Sequence, residues 1–195
     1  MLLRSGEYVE KARKLSIVVF DKTGTLTKGE PSVTDIVVYN GHAESEVLKL
    51  AAVAEKGSEH PLAEAILKAA RQSESDIPDA ESFEAVPGHG VRCVCENKKI
   101  LLGNRRLMQD EKVPINQLEQ DLVGLEGQGK TVMILAVNGQ SAGVVAAMDT
   151  PKKNAVEAIS KLKSMGLEVA MLTGDNERTA KAIAEQLNID HVIAN

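Results

Sequence analysis

Seven consecutive residues, Asp21-Lys22-Thr23-Gly24-Thr25-Leu26-Thr27, carry the densest set of reactive groups in this sequence. The apolar, β-branched run Ile17–Phe20 precedes them, so Asp21 falls at the carboxyl end of a strand, where open α/β sheets bind their ligands. The glycine and hydroxyl residues that follow can turn backbone N–H groups and side-chain donors towards a phosphate. A carboxylate there can be a nucleophile that forms an acyl phosphate, or a ligand for magnesium. A second polar turn, Thr173-Gly174-Asp175, closes another apolar run, Glu168–Leu172. A third group is Glu55 with Ser58-Glu59-His60-Pro61-Leu62, in which Pro61 suits the first position of a helix, so that the His60 ring projects from the helix end.

The elements that must hold these groups follow from periodicity. After the Lys22–Pro31 turn comes a strand over Val33–Tyr39, then a helix from Glu44 to Glu55 with Val47, Leu50, Ala51 and Ala54 on one face. A second helix covers Pro61–Arg71, and Ser73–Ala80 reads as a loop. Short strands are predicted at Phe83–Val86, Val91–Cys95 and Lys99–Leu102, a helix around Asn116–Leu125, and strands at Val132–Val137 and Ala142–Ala147. Strands this close in sequence pair antiparallel. Thr150-Pro151 then reads as a cap and first turn of a helix running to Met165, ended by Gly166. A last helix carries Ala180, Ile183, Ala184 and Leu187 before a strand at His191–Ala194. A weak charged helix is predicted over Glu7–Leu15. The pattern is an α/β domain interrupted by an α+β insert, with hinges near Lys28–Ser32 and Met148–Thr150.

The bulk composition narrows the partners. The 195 residues are 43% apolar and 26% charged, enough for one large or two small domains. Two Phe, two Tyr and no Trp leave no platform for stacking nucleic-acid bases, and a net charge of −5 also speaks against nucleic acid. No apolar run reaches the roughly 18–20 residues that span a bilayer. Two cysteines, Cys93 and Cys95, are too few for a disulfide framework.

As a whole the heptapeptide matches the phosphorylation signature of P-type ATPases letter for letter, and the resemblance continues along the chain in order. Ser58–Leu62 resembles the SEHPL signature of the heavy-metal subclass, which transports copper, zinc, cadmium and similar ions. Gly88-His89-Gly90 is similar to that subclass's glycine pair, and Gly103-Asn104 to its later Gly-Asn. Asp149-Thr150-Pro151 resembles the hinge back into the phosphorylation domain, and Thr173-Gly174-Asp175 the TGD loop. The resemblance implies a partial haloacid-dehalogenase-like (Rossmann-like) phosphorylation domain, residues 1–30 and 149–195. Into it is inserted a nucleotide-binding domain with an antiparallel sheet, residues 31–148.

It also implies roles. Asp21 is the phosphorylated nucleophile, and Asp21 with Thr23 forms a partial Mg2+ site. Thr173 holds phosphoryl oxygens, Gly174 and Asp175 complete that loop, and Lys22 and Thr25 neighbour the phosphoryl group. His60 faces the adenine, Glu55 its polar edge, and Glu59 belongs to the same motif. Gly88 and Gly90 let backbone approach the nucleotide, and Asn104 hydrogen-bonds nearby. The implied cofactors are ATP and Mg2+, and the implied partners are the actuator domain and membrane helices of the same pump, at the cytoplasmic face of a membrane. The cargo is a heavy-metal cation, Cu+ first, held by ligands outside this segment. The family continues with a phosphate-binding Lys and a Gly-Asp-Gly-x-Asn-Asp segment. This segment is therefore expected to bind ATP and to phosphorylate itself poorly or not at all.

Two other activities fit parts of the pattern: a haloacid-dehalogenase-type phosphatase and a non-catalytic nucleotide-binding module. Thr23 speaks against the phosphatase, which carries an acid–base Asp at that position. Gly124–Thr131 fits the P-loop string, but a helical stretch precedes it and a strand follows, the reverse of what phosphate binding requires. Cys93 and Cys95 share a strand face, yet two thiols alone make a poor metal site. His42, His89 and His191 have no ligand-like spacing.

Overall fold

The computed structural model describes residues 14–73 and 76–194, so the helix expected over Glu7–Leu15 lies almost wholly outside the described residues. The chain divides into two units, one formed by Met1–Lys28 with Pro151–Asn195 and the other by Gly29–Thr150.

In the first unit, β1 (Ile17–Asp21), β8 (Glu168–Leu172) and β9 (His191–Ile193) form a parallel sheet in the order β1-β8-β9. Val18, Phe20, Val169, Met171 and Val192 alternate onto one face, as the two-residue period of a strand dictates. There α5 (Ala155–Ser164) and α6 (Glu177–Leu187) cover them with Ala155, Ile159, Ala180, Ile183 and Leu187. On the other face Ile17, Val19, Leu172 and Ile193 are each at least 40% exposed.

Helix α5 starts later than Thr150-Pro151 suggested. Pro151 instead bridges Thr27, and the Lys152 N–H donates to the Leu26 carbonyl at 2.9 Å. Residues 151–154 are therefore spent on bracing the 22–27 loop, and the helix begins only at Ala155. Its end is as expected: Gly166 takes φ +80° while Leu167 N–H reaches back to the Leu162 carbonyl.

The second unit is a six-stranded antiparallel sheet of β2 (Ser32–Val38), β3 (Ser82–Val86), β4 (Gly90–Cys95), β5 (Lys98–Gly103), β6 (Thr131–Val137) and β7 (Gln140–Met148), ordered β2-β7-β6-β5-β4-β3. Helices α1 (Glu44–Glu55) and α2 (Pro61–Gln72) bury Val47, Ala51, Val53 and Ile66 against one face, with Val91, Ile100 and Leu135 from the strands. Helices α3 (Arg105–Asp110) and α4 (Glu119–Glu126) cover the other with Leu107, Met108, Leu122 and Leu125. The sequence pattern does not announce α3, which is too short to show a period. Its N-cap does: the Asn104 Oδ1 accepts from Leu107 N–H at 3.1 Å.

Strands β4 and β5 touch through glycine. A Cβ on Gly90, which sits at φ +141°, would lie 2.2 Å from the Leu102 carbonyl oxygen, and one on Gly103 would lie 2.2 Å from the His89 carbonyl oxygen. A Cβ on Gly88, by contrast, would meet nothing within 4 Å. Gly90→Ala and Gly103→Ala are each expected to cost about 3 kcal/mol or more, because backbone cannot yield as a side chain can. Gly88→Ala should cost only about 1 kcal/mol, for its left-handed backbone. Urea unfolding of the three variants beside the parent chain measures the order directly.

Candidate functional site

The reactive loop of the first unit is built by its own backbone. Asp21 ends β1 in register with Leu172, the last residue of β8, so the heptapeptide and the Thr173–Asp175 turn leave the same edge of the sheet side by side. Residues 22–26 curl into a tight loop in which Gly24 takes φ +75°, a conformation that disfavours any other residue. The fully buried Thr27 closes it. Both its N–H and its hydroxyl donate to the Lys22 carbonyl at 3.1 Å, and the same hydroxyl accepts from Gly24 N–H at 3.3 Å. Lys152 braces the loop from outside, its ammonium donating to the Gly24 carbonyl at 2.6 Å.

Charge is arranged around that loop. The Lys22 ammonium pairs with the Asp175 carboxylate, and these side chains are 8% and 10% exposed. Thr173 donates its hydroxyl to the same carboxylate oxygen at 3.0 Å and accepts the Asp175 N–H at 3.1 Å. Asp21, Thr23, Thr25 and Gly174 remain exposed at the edge. Three of the seven residues singled out in this half, Lys22, Thr173 and Asp175, are therefore in contact, and Asp21 stands exposed at the same sheet edge. The oxygen donors of Asp21 and Thr23 are of the hard type that Mg2+ takes, but two donors are only part of its coordination shell. Among the described residues no group of three or more His, Cys, Asp or Glu is placed to hold a metal ion.

The second unit brings together a different set. Glu55 is the last residue of α1, only 6% exposed, with Oε2 buried and without a hydrogen-bond partner. Burial pushes its carboxyl above the usual value, and the nearby Ser58 hydroxyl offsets part of that. His60 caps α2: its Nδ1 accepts from Leu62 N–H at 3.2 Å, which leaves the ring proton on Nε2. His60 N–H in turn donates to Ser58 Oγ at 3.2 Å. A groove of about 690 Å³ runs along α2, lined among others by Ser58, Glu59, His60, Lys68 and Arg71. Glu55, Gly88, Gly90 and Asn104 are outside that lining.

Gly88, Gly90 and Asn104 form a second cluster with a structural task. The Asn104 side-chain amide donates to the Gly88 carbonyl at 2.9 Å while its oxygen caps α3, so both ends are committed within the chain. Gly90 is a glycine because β5 backbone lies where its side chain would be. The two clusters are linked through β3, whose Phe83 ring lies 3.1–3.3 Å from where a Cβ of Gly57 would be. Sequence reasoning assigned no role to Ser58, Thr27 or Lys152. Ser58 and Thr27 stand inside motifs already noted, but their hydrogen bonds become visible only in the folded chain.

The remaining motifs are absorbed elsewhere. Gly124–Thr131 runs from the end of α4 into β6, with Lys130 paired to Asp35 at 2.6 Å. Burial, and Cys95 beside it, push the Cys93 thiol up to about 11, and both thiols lie in the core between sheet and helices. His42 contacts Glu46, and His191 contacts Glu168. Among the described residues no helix is long and apolar enough to cross a membrane.

A parallel α/β unit with a carboxylate at its carboxyl edge, interrupted by an antiparallel α+β unit, is one form of a large hydrolase class. The chain belongs to the haloacid dehalogenase-like hydrolase family, whose family model matches residues 15–195. Within that class its relatives are transport ATPases. It is 46% identical, over all 195 residues, to the copper-exporting P-type ATPase of Staphylococcus aureus strain JH9, of which it covers 24%. In structure it is similar to a zinc-transporting PIB-type ATPase in the E2.Pi state, with TM-score 0.69 and 38% identity over 99% of this chain and 31% of that one. It is also similar to the catalytic domain of the CPx-ATPase CopB-B, solved in connection with nucleotide binding, with TM-score 0.71 and 28% identity over 100% of this chain and 66% of that one. The chain thus spans about a quarter of the length of the curated relatives it matches.

The buried Glu55 carries a test of its own. Its carboxyl is raised above the ordinary value of 4.5, so the folded chain holds that proton more tightly than the unfolded chain does. Stability from this group is therefore lost as pH rises from about 4.5 upward. Glu55→Gln, which cannot ionise, is expected to be more stable than the parent at pH 7.5 and to lose that advantage at pH 4. Urea midpoints at the two pH values decide it.

Proposed function

We propose that this chain is the ATP-binding and phosphorylation-site portion of a P-type ATPase that moves a heavy-metal cation, Cu+ first, across a membrane. The observation that carries the reading is the convergence at one sheet edge of an exposed Asp21 with the Lys22–Asp175 pair and Thr173. An Asp21 carboxylate oxygen attacks the γ-phosphorus of ATP, the bond from that phosphorus to the β–γ bridging oxygen breaks, and ADP leaves. What remains is an aspartyl phosphate, which water later hydrolyses.

The other residues position and balance charge. Lys22, already oriented by Asp175, offers its ammonium to the incoming phosphoryl oxygens, and the Thr173 hydroxyl offers a further donor. The Gly24 turn keeps the loop backbone close to that group. Mg2+, when bound, neutralises phosphate charge, and the Asp21 carboxylate and Thr23 carbonyl are the residues that would hold it here. Thr23 cannot activate water, which favours a persistent phosphoenzyme over a phosphatase cycle.

In the second unit Glu55 and His60 read the adenine. The buried, unpartnered Glu55 oxygen is an acceptor for the ring amine once the nucleotide reaches it, and the exposed His60 offers its Nε2–H. Glu59 lines the same groove, while Gly88, Gly90 and Asn104 shape the neighbouring turn. Membrane helices and an actuator domain of the same pump are the partners, with the chain on the cytoplasmic face and the cargo metal bound elsewhere.

The test is an NMR titration of the chain with ATP, with and without Mg2+, beside His60→Ala. Binding is expected, and the substitution should weaken it by about 1–3 kcal/mol, the cost of losing a polar contact. Absence of ATP binding, or a His60→Ala variant that binds as tightly as the parent, would overturn the nucleotide assignment.

A further inference from the structure

The turn between β3 and β4, residues 87–89, carries a side-chain nitrogen that the fold leaves unused. His89 is half-buried there and tightly held. Its N–H donates to the Val86 carbonyl at 2.9 Å, and its own carbonyl accepts from the Asn104 N–H at 2.8 Å. The ring is fixed as well, with Nδ1 lying 2.7 Å from the Pro87 carbonyl oxygen. A carbonyl can only accept, so the proton of the neutral ring sits on Nδ1 and Nε2 keeps a bare lone pair. Among the described residues nothing donates to that Nε2, and the atom is open to solvent.

The surrounding groups show why this ring is what the turn presents. Both ends of the Asn104 side chain are occupied, its amide on the Gly88 carbonyl at 2.9 Å and its oxygen on the Leu107 N–H at 3.1 Å. Gly90 is pressed against β5, where a Cβ would lie 2.2 Å from the Leu102 carbonyl oxygen, whereas Gly88 faces open space. A ligand can therefore approach over Gly88 and meet the His89 lone pair. The distance to the other nucleotide residues is short. Phe83 lies beside Gly57 in the α1–α2 turn, and β3 runs on from Phe83 to Val86 over about 10 Å, a span one nucleotide can bridge.

The two histidines hold opposite tautomers: His60 offers Nε2–H, and His89 offers an Nε2 lone pair. ATP has few donors to meet that lone pair. Its phosphates and ring nitrogens only accept, which leaves the 6-amino group and the two ribose hydroxyls. The amino group is matched to Glu55 in the adenine-binding reading above, on which this step rests. We infer that His89 is a further nucleotide-contacting residue, whose Nε2 accepts a hydrogen bond from a ribose hydroxyl. A site that hydrogen-bonds a hydroxyl rejects the analogue lacking it, because the acceptor is then left unanswered. The turn therefore reads the sugar, as the α1–α2 turn reads the base.

The experiment titrates ATP, 2′-deoxyATP and 3′-deoxyATP separately into the whole chain, His89→Phe and His89→Leu, followed by NMR. One of the two deoxy nucleotides is expected to bind the parent chain about fivefold more weakly than ATP, the scale of one neutral hydrogen bond. His89→Phe keeps a ring but has no acceptor. It should bind ATP about fivefold more weakly and no longer distinguish ATP from that deoxy nucleotide. Should His89→Phe fail to fold, His89→Leu carries the same comparison. The inference is overturned if neither deoxy nucleotide binds the parent more weakly than ATP, or if the preference survives the substitution. It is equally overturned if ATP and both deoxy nucleotides weaken by the same factor, which marks a structural residue or a phosphate contact. If the parent chain binds no ATP, the adenine reading itself falls and this inference with it. If the parent binds, His60→Ala weakens it and the His89 variants keep the hydroxyl preference, only the role given to His89 falls.

Discussion

In-register pairing of β1 with β8, from Ile17 with Glu168 to Asp21 with Leu172, is the constraint on which the reactive half of this chain depends. Parallel strands need a crossover, and here the connection is an entire second unit, so residues 153 apart in sequence meet as the Lys22–Asp175 pair. Side chains alternate along a strand, so a slip of one residue would turn Asp21 to the helix-covered face and bury a carboxylate beside Val169 and Met171. The same slip would turn Phe20 outward, so both changes oppose it. The loop beyond Asp21 then needs little further help: a left-handed Gly24, the Thr27 hydroxyl and the Lys152 ammonium satisfy its polar groups without helix or sheet.

The second unit applies the same economy differently. Polar side chains there tie neighbouring turns together: Asn104 joins the Gly88 turn to the start of α3, and Ser58 accepts from the His60 N–H ahead of α2. Glu55 Oε2 and Arg92 Nε, by contrast, are buried without a hydrogen-bond partner. Elsewhere in the unit buried charge is answered within the chain, as where the Arg105 guanidinium is shared by Glu119 and the buried Glu126.

Much of this was legible in the sequence where periodicity or an unusual string carried it. The strand ending in Asp21, the Thr173–Asp175 turn, and helices α1, α2 and α6 all follow from apolar spacing and punctuation by Pro61 and Gly166. Helix α3 escaped because six residues hold less than two turns, too few to show a face. The start of α5 was misplaced because Thr150-Pro151 carries a true local cap signal that a tertiary contact, the Thr27–Pro151 bridge, overrides. The close approach of β5 backbone to Gly90 was not legible either, because it depends on strand pairing that no local pattern encodes.

The bare face of the three-stranded sheet has a practical meaning for anyone handling this polypeptide in solution. Parallel sheets are ordinarily shielded on both sides, and here Ile17, Val19, Leu172 and Ile193 stand open to water. Such a stripe is adhesive. It favours clustering at high concentration, and lyotropic salts such as sulfate, which strengthen apolar burial, make it stickier still. A lysine or glutamate in place of Val19 or Ile193 would keep the strand while breaking the stripe, which makes these two positions the natural places to engineer a better-behaved sample.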